Sequence, residues 1–218
     1  PKSLVKMIVN ILEPKNGILL DPACGSGGMF VQTGDFVNET GLQANKSMTF
    51  YGQEKVEYNA KLCLMNMAVH GLTGVIKSGD EANSFYHDAH HLEGKCNYVM
   101  ANPPFNLSDW GADKLKEDVR WQFGMPPAGN ANFAWLQHMI YHLAPGGKIG
   151  MVLANGSLSS QSGGEGEIRK NIVNADLVEC IVAMPTQLFY TTQIPVSLWF
   201  LNKQKKQTGK TLFIRSEE

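Results

Sequence analysis

Four consecutive residues, Asn102-Pro103-Pro104-Phe105, combine side-chain types that suit one kind of chemistry. An amino group on an aromatic ring is a poor nucleophile because its lone pair is delocalised. Activating it requires acceptors that hold both N–H groups in the geometry of the reacting state. The side-chain oxygen of Asn102 is one such acceptor. Pro103 lacks an N–H and confines Asn102 to extended conformations, and Pro104 does the same to Pro103. The segment is therefore stiff and presents carbonyls, with that of Pro103 the natural second acceptor. Phe105 offers a flat face for a ring, and a base inside a duplex reaches such a site only after being flipped out of the stack. Pro-Pro alone is an ordinary turn; its place after a buried strand, downstream of a glycine loop, is what favours chemistry.

That loop is Asp21-Pro22-Ala23-Cys24-Gly25-Ser26-Gly27-Gly28, set between a strand and a helix where doubly wound sheets bind nucleotides. The third glycine of a dinucleotide fingerprint is replaced by Phe30, which weakens a dehydrogenase reading. Asp21, at the mouth of the loop, would repel a pyrophosphate and suits a cation; S-adenosylmethionine carries a sulfonium and an amino group. Glu54 closes the second strand, where it can accept from both ribose hydroxyls, and Asp80 follows the third, where it can accept from an adenine amino group. Each acid alone reads equally as a helix cap or surface carboxylate. Three of them ending three consecutive strands point to a binding site.

The elements that must carry these residues alternate. Helical apolar periodicity covers 3–13, with Ser3 placed as its N-cap, then 56–70, 132–143 and 165–175; a further helix leaves the glycine loop and runs to about residue 38. Apolar runs bounded by turn residues mark strands at 18–21, 49–53, 74–77, 97–101, 148–154, 177–183 and 196–201, and Pro145-Gly146-Gly147 stops the fourth long helix. This order predicts an α/β fold: a Rossmann-like, mostly parallel seven-stranded sheet with helices on both faces and ligands at the strands' carboxyl ends. No helix separates the last two strands, so an antiparallel edge strand is expected.

Beyond these elements the chain resembles a known family. Asp-Pro-Ala-Cys-Gly-Ser-Gly-Gly followed by Asn-Pro-Pro-Phe is similar to amino-methyltransferases acting on adenine in DNA. The segments Trp121-Gln122-Phe123-Gly124-Met125-Pro126-Pro127, Asn130-Ala131-Asn132-Phe133-Ala134-Trp135-Leu136-Gln137-His138, Gly150-Met151-Val152-Leu153-Ala154-Asn155-Gly156 and Ala183-Met184-Pro185-Thr186-Gln187-Leu188-Phe189 resemble modification subunits of type I restriction systems. The resemblance implies a class I S-adenosylmethionine-dependent methyltransferase fold. It also implies donor contacts from Asp21, Ala23, Gly25, Ser26, Gly27, Gly28, Glu54, Asp80 and Asn102, and catalysis by Asn102, Pro103, Pro104 and Phe105. Phe105 would stack on the target base with Phe189 or Tyr190, although both of these are equally read as core aromatics. The family's aromatic-Thr-Pro motif is absent apart from Pro1. Its amino-terminal helical region and carboxy-terminal tail are also missing, so residues 1–218 are expected to be an excised catalytic domain. Implied partners are DNA, a specificity subunit flanked by two modification subunits, and a restriction subunit, in the cytoplasm of a prokaryote.

Composition agrees with this. At 218 residues and 43% hydrophobic content, the chain can bury one sizeable core, and no apolar run is long enough to span a membrane. A net charge of -1 gives little long-range attraction to phosphates, so another component must hold any DNA. Four scattered cysteines fit reduced thiols. His87, His90 and His91 are expected in a solvated loop rather than at a metal, and Lys203, Lys205 and Lys206 in a solvated surface run. The absence of a Pro-Cys dipeptide removes cytosine-C5 chemistry. Two rival readings stay open: an N-methyltransferase with the same tetrapeptide acting on a protein glutamine or an RNA guanine, and a non-catalytic donor-binding scaffold.

Overall fold

The computed structural model describes residues 2–189 and 193–216. In chain order the elements are α1 (Lys2–Leu12), β1 (Gly17–Asp21), α2 (Gly28–Glu39), α3 (Ala44–Ser47), β2 (Met48–Glu54), α4 (Glu57–Val69), β3 (Gly74–Ser78), β4 (Cys96–Ala101), α5 (Asn132–His142), β5 (Leu143–Ala154), α6 (Glu165–Asn174), β6 (Val178–Ala183), β7 (Val196–Asn202) and β8 (Leu212–Arg215). Hydrogen-bonded neighbours give the strand order β3-β2-β1-β4-β5-β7-β6-β8. The chain divides into two compact units, residues 1–102 with 142–150, and residues 103–141 with 151–218.

In the first unit β1 pairs in parallel with β2 and β4, and β2 with β3. All three parallel pairs therefore end on the same side, and Asp21, Glu54 and Asn102 stand at or just past three of those ends. The core fills as the apolar periodicity dictates. Leu4, Ile8, Val9 and Leu12 bury one stripe of α1, and Gly150 makes this possible, because a Cβ there would lie 2.5 Å from Ile8. Phe30 of α2 meets Phe50 of β2 edge to face, centroids 5.7 Å apart, both fully buried. Emptying either position would cost about 3–5 kcal/mol. The helix α1 already includes Ser3, which therefore sits in its first turn rather than capping it.

In the second unit every residue of β7 is buried, the continuous apolar pattern of a central strand, and its Trp199 packs edge to face on Phe133 of α5. The strand β7 runs antiparallel to β6, as the missing crossover helix requires. One expectation needs correcting: among the described residues the sheet has eight strands, not seven. The strand β8 pairs in parallel with β6 and takes the outermost place, so the antiparallel strand lies inside it. All four β8 residues are exposed, so no buried face marked the strand in the sequence. A second correction concerns Lys205, whose ammonium turns onto Asp176 at 2.5 Å with a side chain only 3% exposed; Lys203 and Lys206 are exposed as expected. All four cysteines are buried and free.

Candidate active site

The glycine loop owes its shape to a few contacts. Asp21 ends β1 fully buried, and its Oδ1 accepts the N–H of Ala23 at 3.0 Å, turning the chain out of the strand. Gly25 (φ 51°) and Gly27 (φ 82°) both adopt the left-handed region. At Gly27 a Cβ would also lie 2.7 Å from Cys63 Sγ, so the position excludes a side chain on two counts. Asn66 of α4 donates to the Ser26 carbonyl at 3.0 Å, and Ser84 to that of Pro22 at 2.6 Å. Gly28 then opens α2, with no atom within 4 Å of where its Cβ would stand.

A cavity of about 470 Å³ lies over this loop. Asp21, Ala23, Gly25, Ser26, Gly28 and Asn102 all line it, and so do Gln32, Asn66 and His70, which nothing in the sequence singled out. Asn102 is exposed at the first position past β4. Its amide therefore faces accessible space and not the core. Burial, more than the nearby Glu54 charge, pushes the Asp21 carboxyl up to about 8, while the Ala23 hydrogen bond opposes the rise. A buried acid of this kind is neutral in an apolar site and ionises when a cation arrives. A hydrogen bond with Cys63, and then burial, push the Cys24 thiol up, away from the thiolate form.

Glu54, Gly27 and Asp80 are not in the cavity lining. Glu54 shapes the loop from below: Oε2 accepts the Gly25 N–H at 3.0 Å and Oε1 the Val56 N–H at 2.8 Å. A carboxylate has about four acceptor positions, so room remains for a hydroxyl. Asp80 opens a 3-10 turn after β3 and is exposed. Buried Gln53, beside Glu54, ties down the segment that follows, donating to the Ala82 carbonyl at 3.4 Å and the His87 carbonyl at 3.0 Å.

In the second unit Pro103 is buried, Pro104 exposed and Phe105 half-buried. The Phe105 ring meets Phe189 edge to face at 5.5 Å; Tyr190 and Pro1 lie outside the described residues. The histidine segment is less solvated than expected. His90 Nε2 lies 2.9 Å from the Gly52 carbonyl and its ring packs on Tyr51, while Asp88 lies 3.5 Å from buried His142. Asp88, His91 and Glu93 each bring one potential ligand atom within 4.8 Å of the others, but Asp88 also accepts the Leu92 N–H.

The donor expected from the sequence fits this geometry. The cavity falls within the roughly 300–1,000 Å³ usual for small ligands; the glycine cradle is open where a side chain would block it, and the buried acid favours a cation. No helix among the described residues is long and apolar enough to cross a membrane.

Comparison with known proteins agrees in fold and family. A family model described as N-6 DNA Methylase matches residues 1–218. The type I restriction enzyme HindI methylase subunit of Haemophilus influenzae is 52% identical over the whole of this chain, which covers 48% of that protein. The MjaIX methylase subunit of Methanocaldococcus jannaschii is 45% identical over the whole chain, covering 39% of its own length. Among solved structures, a type I restriction-modification methyltransferase subunit from Streptococcus thermophilus superposes with a TM-score of 0.83 at 27% identity, over 98% of this chain and 45% of that one. The chain thus spans less than half the length of these relatives.

Proposed function

This chain belongs to the N-6 DNA methylase family, and from that premise we propose that it transfers the methyl group of S-adenosylmethionine to N6 of adenine in DNA. In this proposal residues 1–218 are the catalytic domain of a longer modification subunit. One observation carries the proposal: Asn102 borders the same cavity as Asp21 and the glycine loop. An amide acceptor for an amine and a cradle for a cationic donor therefore share one space.

The donor supplies an electrophilic methyl group activated by its positive sulfur. The chain's own residues do the rest. Asp21 ionises and balances the positive charge, Gly25, Ser26 and Gly28 admit the ligand closely, Ala23 lines the floor, and Gly27 and Glu54 fix the loop. Asp80 serves the adenine end. Asn102 Oδ1 accepts one N–H of the target amine and the Pro103 carbonyl the other, with Pro104 keeping that carbonyl fixed and Phe105, backed by Phe189, stacking on the flipped base. As the C–N bond forms, the methyl–sulfur bond breaks, its electron pair stays on the now neutral sulfur, and the amine releases one proton to solvent. No metal enters this chemistry.

The relatives are named as methylase subunits of type I restriction enzymes. We therefore assign as partners a specificity subunit, holding two modification subunits, and a restriction subunit, in a prokaryotic cytoplasm. The near-neutral chain then depends on its partner for its grip on DNA. The test is mass-spectrometric detection of N6-methyladenine after incubating the full-length subunit with its specificity partner, donor and unmethylated DNA. Methylation of a protein glutamine or an RNA guanine instead, or donor binding without turnover, would overturn the assignment.

A further inference from the structure

We propose that Asn132 is a positioning residue for the tetrapeptide and that it acts through Asn106; this rests on the methyltransferase reading above. Asn106 directly follows Phe105 and has a φ of 52°. Asparagine enters the left-handed region more readily than most residues, but such a backbone persists only where the surroundings hold it.

Asn132 supplies that hold. It is 2% exposed at the first position of α5. Its Oδ1 accepts the backbone N–H of Asn106 at 3.0 Å, and its Nδ2 donates to Asn106 Oδ1 at 2.9 Å, a reciprocal pair across 26 residues of sequence. The same Nδ2 donates at 3.1 Å to the hydroxyl of Ser157, itself 2% exposed. Asn130 closes the network, donating to Asn106 Oδ1 at 3.3 Å and accepting the Asn132 N–H at 2.9 Å. One residue on, the Leu107 carbonyl accepts the Ala131 N–H at 2.9 Å.

The downstream end of the tetrapeptide is thus pinned to α5 by side-chain amides. The turn at Asn106 sets the direction in which Phe105 leaves the backbone, and with it the contact to Phe189 and the orientation of the preceding carbonyls. None of these amides lines the donor cavity. Loss of the clamp therefore lowers turnover and leaves donor affinity alone.

The test uses the full-length subunit assembled with its specificity partner, S-adenosylmethionine and unmethylated duplex DNA. Three quantities are measured: the single-turnover methylation rate, the donor Kd by calorimetry, and the unfolding midpoint. Asn132→Ala is expected to lower the rate about 100-fold, the usual scale for a misplacement near 1 Å, with the donor Kd unchanged. Because Asn132 is buried, a second pair guards against a folding defect. Asn106→Val cannot hold a positive φ and is expected to lose about 100-fold, whereas Asn106→Gly, which holds it freely, is expected to stay within about tenfold of wild type. If folded Asn132→Ala reacts at the wild-type rate, or if the Val and Gly variants at 106 behave alike, the clamp is not a positioning device. If the unsubstituted complex makes no N6-methyladenine, the methyltransferase reading itself falls and takes this proposal with it.

Discussion

The glycine loop of the first unit and the segment after the tetrapeptide in the second reach fixed shapes by opposite means. In the first, backbone freedom does the work: two left-handed glycines, a strand end, and one carboxylate, Glu54, receiving two backbone N–H groups. In the second, the chain carries ordinary side chains and is held by other side chains, the amides of Asn106, Asn130 and Asn132, with Gln137 bonded to both the Phe123 N–H and the Gly124 carbonyl. A loop built on glycine leaves space for a ligand. A loop built on amides is instead tied down by side-chain hydrogen bonds. The contrast matches the roles proposed for the two regions, admitting a donor and aiming a base.

Four perturbations test the contrast, in falling order of effect. Asn102→Ala should lower the methylation rate by about a hundredfold, the roughly 3 kcal/mol cost of losing one preorganised partner, while calorimetry finds donor affinity intact; a wild-type rate would remove the amide from the mechanism. Gly27→Ala should attack the other region. A left-handed Ala costs about 1–2 kcal/mol, before the clash with Cys63, so both thermal stability and donor affinity should fall. Pairing it with Cys63→Ala should recover part of the loss in both, and no recovery would mean that the sulfur contact is irrelevant.

Glu54→Ala releases two backbone N–H groups and should weaken donor binding by about tenfold, on the scale of one charge-assisted hydrogen bond, with little change in the rate at saturating donor. Equal donor affinity in the variant would show that the loop shapes itself. Counted per pH unit, the smallest effect is a pH dependence. With its pKa raised to about 8, Asp21 stays protonated in the folded protein where the unfolded chain has already released the proton. Stability without donor should therefore fall as pH rises from the ordinary carboxylate range through about 8. A bound cation favours the ionised form, so donor affinity should move the opposite way, weakening by up to about tenfold per pH unit below 8. Asp21→Asn should flatten both profiles in calorimetric and thermal-unfolding series; profiles that keep their slope would assign the titration to another group.

Much of the first unit was legible in the sequence because its determinants are local. Buried parallel strands read as apolar runs, glycines mark the left-handed positions, and acids at strand ends stand out against them. What escaped was reach. Asn66 of α4 and His70 just past it look like incidental polar residues until α4 folds beside the loop. Glu54 was legible as a strand-end acid, but not its commitment to the backbone of Gly25 and Val56. Asn132 was visible only as part of a family-like segment, since its partner stands 26 residues away. His90 and Lys205 resembled solvated residues because burial of a polar group by a distant carbonyl or carboxylate leaves no periodic trace.

The outer strand β8 carries a consequence for how the chain behaves in solution. Leu212, Phe213 and Ile214 are 59%, 71% and 42% exposed on the last strand of the sheet, and among the described residues no further strand pairs with that edge. Apolar edges of this kind recruit strands from other molecules, and a net charge of -1 supplies almost no repulsion to keep copies apart. Replacing Phe213, the most exposed of the three, with Lys is therefore expected to reduce any self-association at high concentration.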